Sequence, residues 1–188
     1  MDTPAAQSPF SYPAGPEADP GYLRSIRTTP VIGTVRLTAL AMLGAVPLLS
    51  VLVVVILGTG TDWSPLGLAI PAAGLLTAGL ALALPRVPPI DPGRSPHRTA
   101  REAVGRLQAA TMTRLALCES AAMFGLVSSF AIDRTAVPML LGAAISMVAM
   151  PLLALPTRAA VERFRAALER DGTPSYLWNE LVHRGGAE

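Results

Sequence analysis

The sequence predicts an all-α polytopic membrane protein: four transmembrane helices forming two hairpins, followed by a C-terminal amphipathic helix. Three observations predict it. Hydrophobic residues make up 51% of the 188 positions and charged residues only 15%, with a mean hydropathy of +0.46, outside the range of ordinary soluble domains. Uncharged runs recur at about the 20-residue length that crosses a hydrocarbon core of roughly 30 Å. The basic residues lie in the segments flanking those runs, as orientation in a bilayer requires.

Residues 1–22 carry Pro4, Pro9, Pro13, Pro16 and Pro20 among Ala, Ser and Gly, a composition with too little apolar surface to pack and too much proline for a helix. This segment is expected to be a disordered cytoplasmic tail. No basic stretch leads directly into a short apolar core with a small-residue cleavage site, so the first apolar run is expected to stay as an anchor. Residues 23–156 form the expected transmembrane domain. From Leu37 to Thr61 no residue is charged, which places helix 1 at about 37–58. After the short turn Gly58-Thr59-Gly60-Thr61-Asp62, the uncharged stretch from Trp63 gives helix 2 at about 63–84, with the tryptophan at a favoured interfacial position.

Pro88, Pro89, Pro92 and Pro96 end helix 2 and open a cytoplasmic loop, 86–114. Within it Thr99-Ala100-Arg101-Glu102 has the form of a capping box, from which the chain is expected to run helically into the membrane. Helix 3 follows at about 115–132, between Arg114 and the Asp133-Arg134 pair, and helix 4 at about 135–156, with Pro138 in its first turn. Residues 157–188 give a cytoplasmic amphipathic helix and tail. Val161, Phe164 and Leu168 share one face of that helix, with Arg158, Glu162, Arg165 and Glu169 elsewhere on it. A surface helix of this kind lies along a membrane or on a partner.

Lysine is absent, and all 15 basic residues are arginine, a usage that suits a GC-rich genome. Three arginines precede helix 1, none lie in the first turn, six between helices 2 and 3, one in the second turn and five in the tail. By the positive-inside rule both termini and the long loop face the cytoplasm, in a bacterial inner membrane. The same distribution explains the pI near 9.2 without nucleic acid, because the arginines are not gathered in one cluster interleaved with aromatics.

The two halves match at their edges. Arg36-Leu37 and Arg114-Leu115 open them; Asp62 to Ala83-Leu84-Pro85 and Asp133 to Ala154-Leu155-Pro156 close them at identical spacing. A duplicated hairpin, with a pseudo-two-fold along the membrane normal, explains this; chance Leu-Ala-Pro matches in so apolar a chain are the alternative.

Glu119 is the ionisable residue that falls within an apolar span, where a charge costs about 2.5–3.5 kcal/mol on insertion scales. It is the candidate functional carboxylate, as a proton carrier, or else a structural one pairing with Arg36 or Arg114. Cys118 beside it is expected to be a buried, unreactive thiol. Ala121, Gly125 and Ser129, Gly74 and Ala78, and Gly142 and Ser146 form small-residue pairs suited to close helix contact. Pro47, Pro71 and Pro151 lie inside helices and favour kinks. His97 and His183 stand apart from other ligand types, and no metal, cofactor, phosphate-loop or nucleophile motif is present.

The stretch Arg114-Leu-Ala-Leu-Cys-Glu-Ser-Ala-Ala-Met-Phe-Gly-Leu-Val resembles the glutamate-bearing helix of rotary ATPase proteolipids, and a doubled hairpin is similar to the V-type member of that family. Those proteins place the carboxylate mid-membrane in the second helix of a hairpin, whereas Glu119 is near the expected cytoplasmic end of a first helix, so proton translocation is not carried over. The basic central loop and short third helix also look like the four-helix accessory protein encoded with bacterial ATP synthases. The general layout resembles small actinobacterial four-helix membrane proteins. The expected function is therefore non-enzymatic: an accessory subunit or assembly factor of a membrane complex, with membrane lipids and other membrane proteins or itself as partners. The alternative is a small oligomeric transporter or channel with Glu119 as coupling group.

Overall fold

The structure, a computed structural model, describes residues 10–23, 30–83 and 87–183. Residues 1–9 of the expected tail, and Arg24, Arg27, Arg86 and Arg184, lie outside the described residues, as does the side chain of His183. Six α-helices follow in order: α1 Pro30–Leu57, α2 Pro65–Ala83, α3 Pro96–Ser128, α4 Val137–Ala149, α5 Arg158–Leu168 and α6 Leu177–His183. A 3₁₀ turn covers Pro16–Ala18, and π-helical turns extend α3 over Ser129–Asp133 and α4 over Met150–Ala154. No strand occurs among the described residues, so the chain is all-helical. Three helices are long and apolar enough to cross a membrane: Val31–Leu57, Pro96–Asp133 and Val137–Ala154.

The apolar helix in α2, Pro65–Ala81, is shorter than the uncharged run of the sequence. Its start is fixed by chemistry. Ser64 is the N-cap, its hydroxyl accepting from the Gly67 N–H at 2.9 Å and its carbonyl from the Leu68 N–H, while Pro65 supplies the preset φ of a first helical residue. Trp63 stays outside the helix, half exposed at 48%. At the other boundary α3 runs helically into the apolar span as expected, but from Pro96, ahead of the Thr99 capping box. Here the capping box does not form: Thr99 is buried inside the helix, and Glu102 is held by Arg94 and Arg106 instead of reaching back to the Thr99 N–H. Proline at the first position starts the helix one turn earlier.

The chain folds as two compact units. One comprises Arg36–Pro85 and Ala110–Leu155. Its core is built from one line of α1, Ala39, Val46 and Val53, with Ala78 and Ala81, Leu115, Cys118 and Ala122, and Met139, Ala143 and Met150. Small residues let the backbones approach. A Cβ on Gly74 would meet Ala121, one on Gly142 would meet the carbonyl of Ala121, and one on Gly125 would meet Pro138 and Met139. These contacts lie inside the unit. Outside the core, Leu37, Leu48, Val55, Leu76, Val127 and Leu152 are exposed by 60% or more, and only 17% of the apolar window of α1 is buried. Pro151 sits in the π turn that ends α4, where its missing N–H leaves the preceding ladder short of a donor.

The other unit gathers the described parts of Met1–Val35, Arg86–Ala109 and Pro156–Glu188. Val161, Phe164 and Leu168, the apolar face of α5, are buried here by this chain itself and not left for a membrane surface or partner. Leu177, Trp178 and Leu181 of α6 join them, at 0–2% exposed. Residues 10–18, expected to be disordered, also have a defined course. Phe10 is buried against His97 and Tyr176, and Asn179 and Arg158 take the neighbouring backbone groups as partners. The tail has too few apolar side chains to fold alone, but one aromatic and a row of carbonyls suffice once a preformed surface accepts them.

Candidate functional site

Glu119 lies on α3 in the apolar unit, half-buried. Its two chain neighbours turn inward: Cys118 is fully buried, and Ser120 shares a hydrogen bond of 2.5 Å with Thr77 of α2. One of the two hydroxyls donates across this contact, and the other donates within its own helix, Ser120 to the Leu117 carbonyl at 2.7 Å or Thr77 to the Gly74 carbonyl at 2.8 Å. These bonds satisfy hydroxyls that have no water to turn to in a bilayer.

One rung below, Ser146 of α4 enters the backbone ladder of α3. Its hydroxyl donates to the Cys118 carbonyl at 2.8 Å and accepts from the Ala122 N–H at 3.1 Å. Those are the acceptor and donor of a single rung of the α3 ladder. Sequence reasoning had Ser146 only as a small residue; its hydroxyl is what matters, and nothing in the 3.6-residue pattern distinguishes the two roles.

Arg36 and Arg114 are half-buried and belong to the same unit. Neither forms a salt bridge with Glu119, whose carboxylate stands in none of the ion pairs of the described residues. No group of three or more His, Cys, Asp or Glu suited to a metal occurs among the described residues.

A second carboxylate carries more geometry than Glu119. Asp133, at the end of α3, accepts from both the N–H and the hydroxyl of Ser64. Its Oδ2 is buried without a hydrogen-bond partner, packed where a Cβ on Gly67 would sit. Nearby, Ser128 donates to the Gly67 carbonyl at 2.7 Å, Thr135 to the Gly60 carbonyl at 3.0 Å, and the Ala136 N–H to the Gly58 carbonyl at 3.0 Å. The sequence marked Asp133 only as the edge of a span. Its counterpart at the other edge, Asp62, is exposed, so the two matched aspartates are used differently.

In the polar unit, Glu162 is the best-connected carboxylate. Burial pushes its pKa up, but hydrogen bonds from Arg165 at 2.5 Å and from Trp178 at 2.9 Å, with the charges of Arg165 and Arg158, outweigh that and hold it below the ordinary value. An open cleft of about 650 Å³ is lined by Gly93, Arg94, Ser95, Arg98, Arg101 and Glu102. Arg94 is already bound to Asp91 and Glu102 there.

Comparison with known proteins returns no match, whether to a protein-family model, a curated protein or a solved structure.

Proposed function

We propose that this chain is a non-enzymatic integral membrane protein that crosses the bilayer four times as two hairpins and acts by association, as an accessory subunit or assembly factor of a membrane complex. The observation that carries the reading is the contrast between the two units. One leaves large apolar side chains outside and a small-residue core inside, the inverse of a soluble domain. The other collects the three arginine-bearing segments, so each apolar pair, α1 with α2 and α3 with α4, leaves it and returns to it. That connectivity supports an even number of crossings, with both termini and the loop on the positive, cytoplasmic side. α2, with 19 residues, is about 28 Å long, enough for a thin or locally adapted bilayer.

Association is favoured over transport because Asp133, the buried carboxylate at the edge of the apolar unit, is committed to structure, capping α2 through Ser64. Affinity capture of the detergent-solubilised chain from native membranes is expected to return a stoichiometric membrane-protein partner; its absence would count against the reading. The rival, a small oligomeric transporter or channel using Glu119, draws on one observation: Glu119 has no ion-pair partner among the described residues. Loss of proton or solute flux in liposomes on Glu119→Gln would establish it instead.

A further inference from the structure

Residues 93–102 fold around an open cleft of about 650 Å³ at the start of α3. One wall comes from a bend. The Ile90 N–H is tied to the Leu168 carbonyl at 3.2 Å, and Gly93, at a φ of 90° that only glycine takes without strain, turns the chain so that Arg94 reaches Glu102. Arg94 and Arg106 neutralise the two carboxylates beside the cleft. Glu102 accepts from Arg94 through one oxygen and from Arg106, at 2.6 Å, through the other, while Asp91 accepts from Arg94 at 2.8 Å. Arg98 and Arg101 are left over. Both line the cleft, both are exposed, and neither has a hydrogen bond or ion pair among the described residues. Three residues apart on α3, they are neighbours on one helix face, with Cβ atoms about 5–6 Å apart. The positive-inside rule accounts for how many arginines this loop holds, but it is served equally by arginines paired with carboxylates or scattered around a helix. It does not explain why the two unpaired ones share one cavity.

Two guanidinium forks at that spacing can close on one anion, each fork donating two N–H groups. A carboxylate, with two oxygens and one charge, occupies one fork and leaves the other idle. A phosphate monoester brings about −1.5 to −2 charge at neutral pH and three acceptor oxygens, which match both. From this geometry we infer that the cleft binds a phosphate monoester group between Arg98 and Arg101, carried by a soluble molecule or by a lipid headgroup. The Ser95 hydroxyl, which lines the same space and has no hydrogen bond among the described residues, is a further donor. The volume falls in the range of small-molecule sites, so the cleft has room for more than the phosphate itself. The site lies wholly within the unit that gathers the arginine-bearing segments, and it stands whatever the apolar unit associates with.

The test uses the full chain in an uncharged detergent with two probes, glycerol phosphate as a soluble monoester and phosphatidic acid as a lipid one. Calorimetric titration follows the first, and native mass spectrometry counts adducts of the second against phosphatidylcholine. Saturable binding of either probe is expected, weakened about tenfold or more by Arg98→Gln and by Arg101→Gln and lost in the pair, with the thermal midpoint unmoved because both side chains are exposed and unbonded. Arg98→Lys, which keeps the charge but not the fork, is expected to recover only part of the affinity. Arg163→Gln with Arg170→Gln, at exposed positions in and beside α5, removes as much charge and should change binding by less than about twofold. Glycerol phosphate binding that depends on the two cleft arginines assigns the site to a soluble phosphate; phosphatidic acid adducts with that dependence, and no binding of glycerol phosphate, assign it to a headgroup. Failure of both probes to bind overturns the inference. So does binding that survives the cleft pair, or that falls equally in the α5 pair, since net charge alone would then account for it.

Discussion

The Asp133 carboxylate accepts two hydrogen bonds from Ser64, from the backbone N–H at 3.0 Å and from the hydroxyl at 2.6 Å. Ser64 in turn accepts from the Gly67 N–H, so a residue ending α3 secures the start of α2. Charge-assisted bonds of this kind contribute about 1.5–3 kcal/mol when one partner is removed. Asp133→Ala is expected to destabilise the apolar unit by that order, read as an earlier midpoint in SDS-titrated unfolding. Asp62→Ala, at the matched but exposed position, is expected to leave the midpoint in place.

Gly142 has no room for a side chain, since its Cβ would meet the Ala121 carbonyl and the Ala122 backbone. Gly142→Ala should therefore separate α3 from α4 and cost about 1–3 kcal/mol, with Gly79→Ala, where a Cβ meets nothing, as the neutral comparison.

Glu119 has no hydrogen bond or ion pair among the described residues, so Glu119→Gln is expected to move thermal stability in detergent by less than about 0.5 kcal/mol. A clear destabilisation would show that the carboxylate has a structural partner after all.

The polar unit should be acid-sensitive through Glu162. Its folded pKa is held below the ordinary 4.5, so the stabilisation is fully present above that value and is lost as pH falls through the lower, folded pKa. Trp178 fluorescence, followed from neutral pH downward in the Trp63→Phe chain, should report opening at acid pH. Glu162→Gln is expected to flatten that dependence.

Orientation is open to a chemical test. Cys118 is buried, and should resist maleimide until the chain is unfolded. In a Cys118→Ser background, Gly60→Cys is expected to react in intact cells and Asp91→Cys only after permeabilisation; the reverse pattern would invert the topology.

The uncharged lengths of α1 and α4 were legible because a bilayer selects for composition over a fixed span. Where the helices start was less so. Pro65 and Pro96 fix the N-termini of α2 and α3 through local sterics and capping, which average hydropathy does not register. The α5 stripe of Val161, Phe164 and Leu168 was visible, but its burial within the same unit was not, since that unit gathers segments far apart in the chain. Among the site residues, Glu119 stood out by charge alone. Ser146, Ser64 and Asn179 act through hydrogen bonds to distant backbone, and serines and asparagines that do this look like any others in sequence.

The Ser146 hydroxyl between Cys118 and Ala122 also bears on biogenesis. The two groups belong to one rung of the α3 ladder, and docking of α4 adds the Ser146 hydroxyl to both, giving two inter-helix bonds. A slide of α4 by one turn would take the hydroxyl away from both groups. Where Met139, Ala143 and Met150 supply only apolar contact, one serine thus sets the depth at which the fourth helix comes to rest.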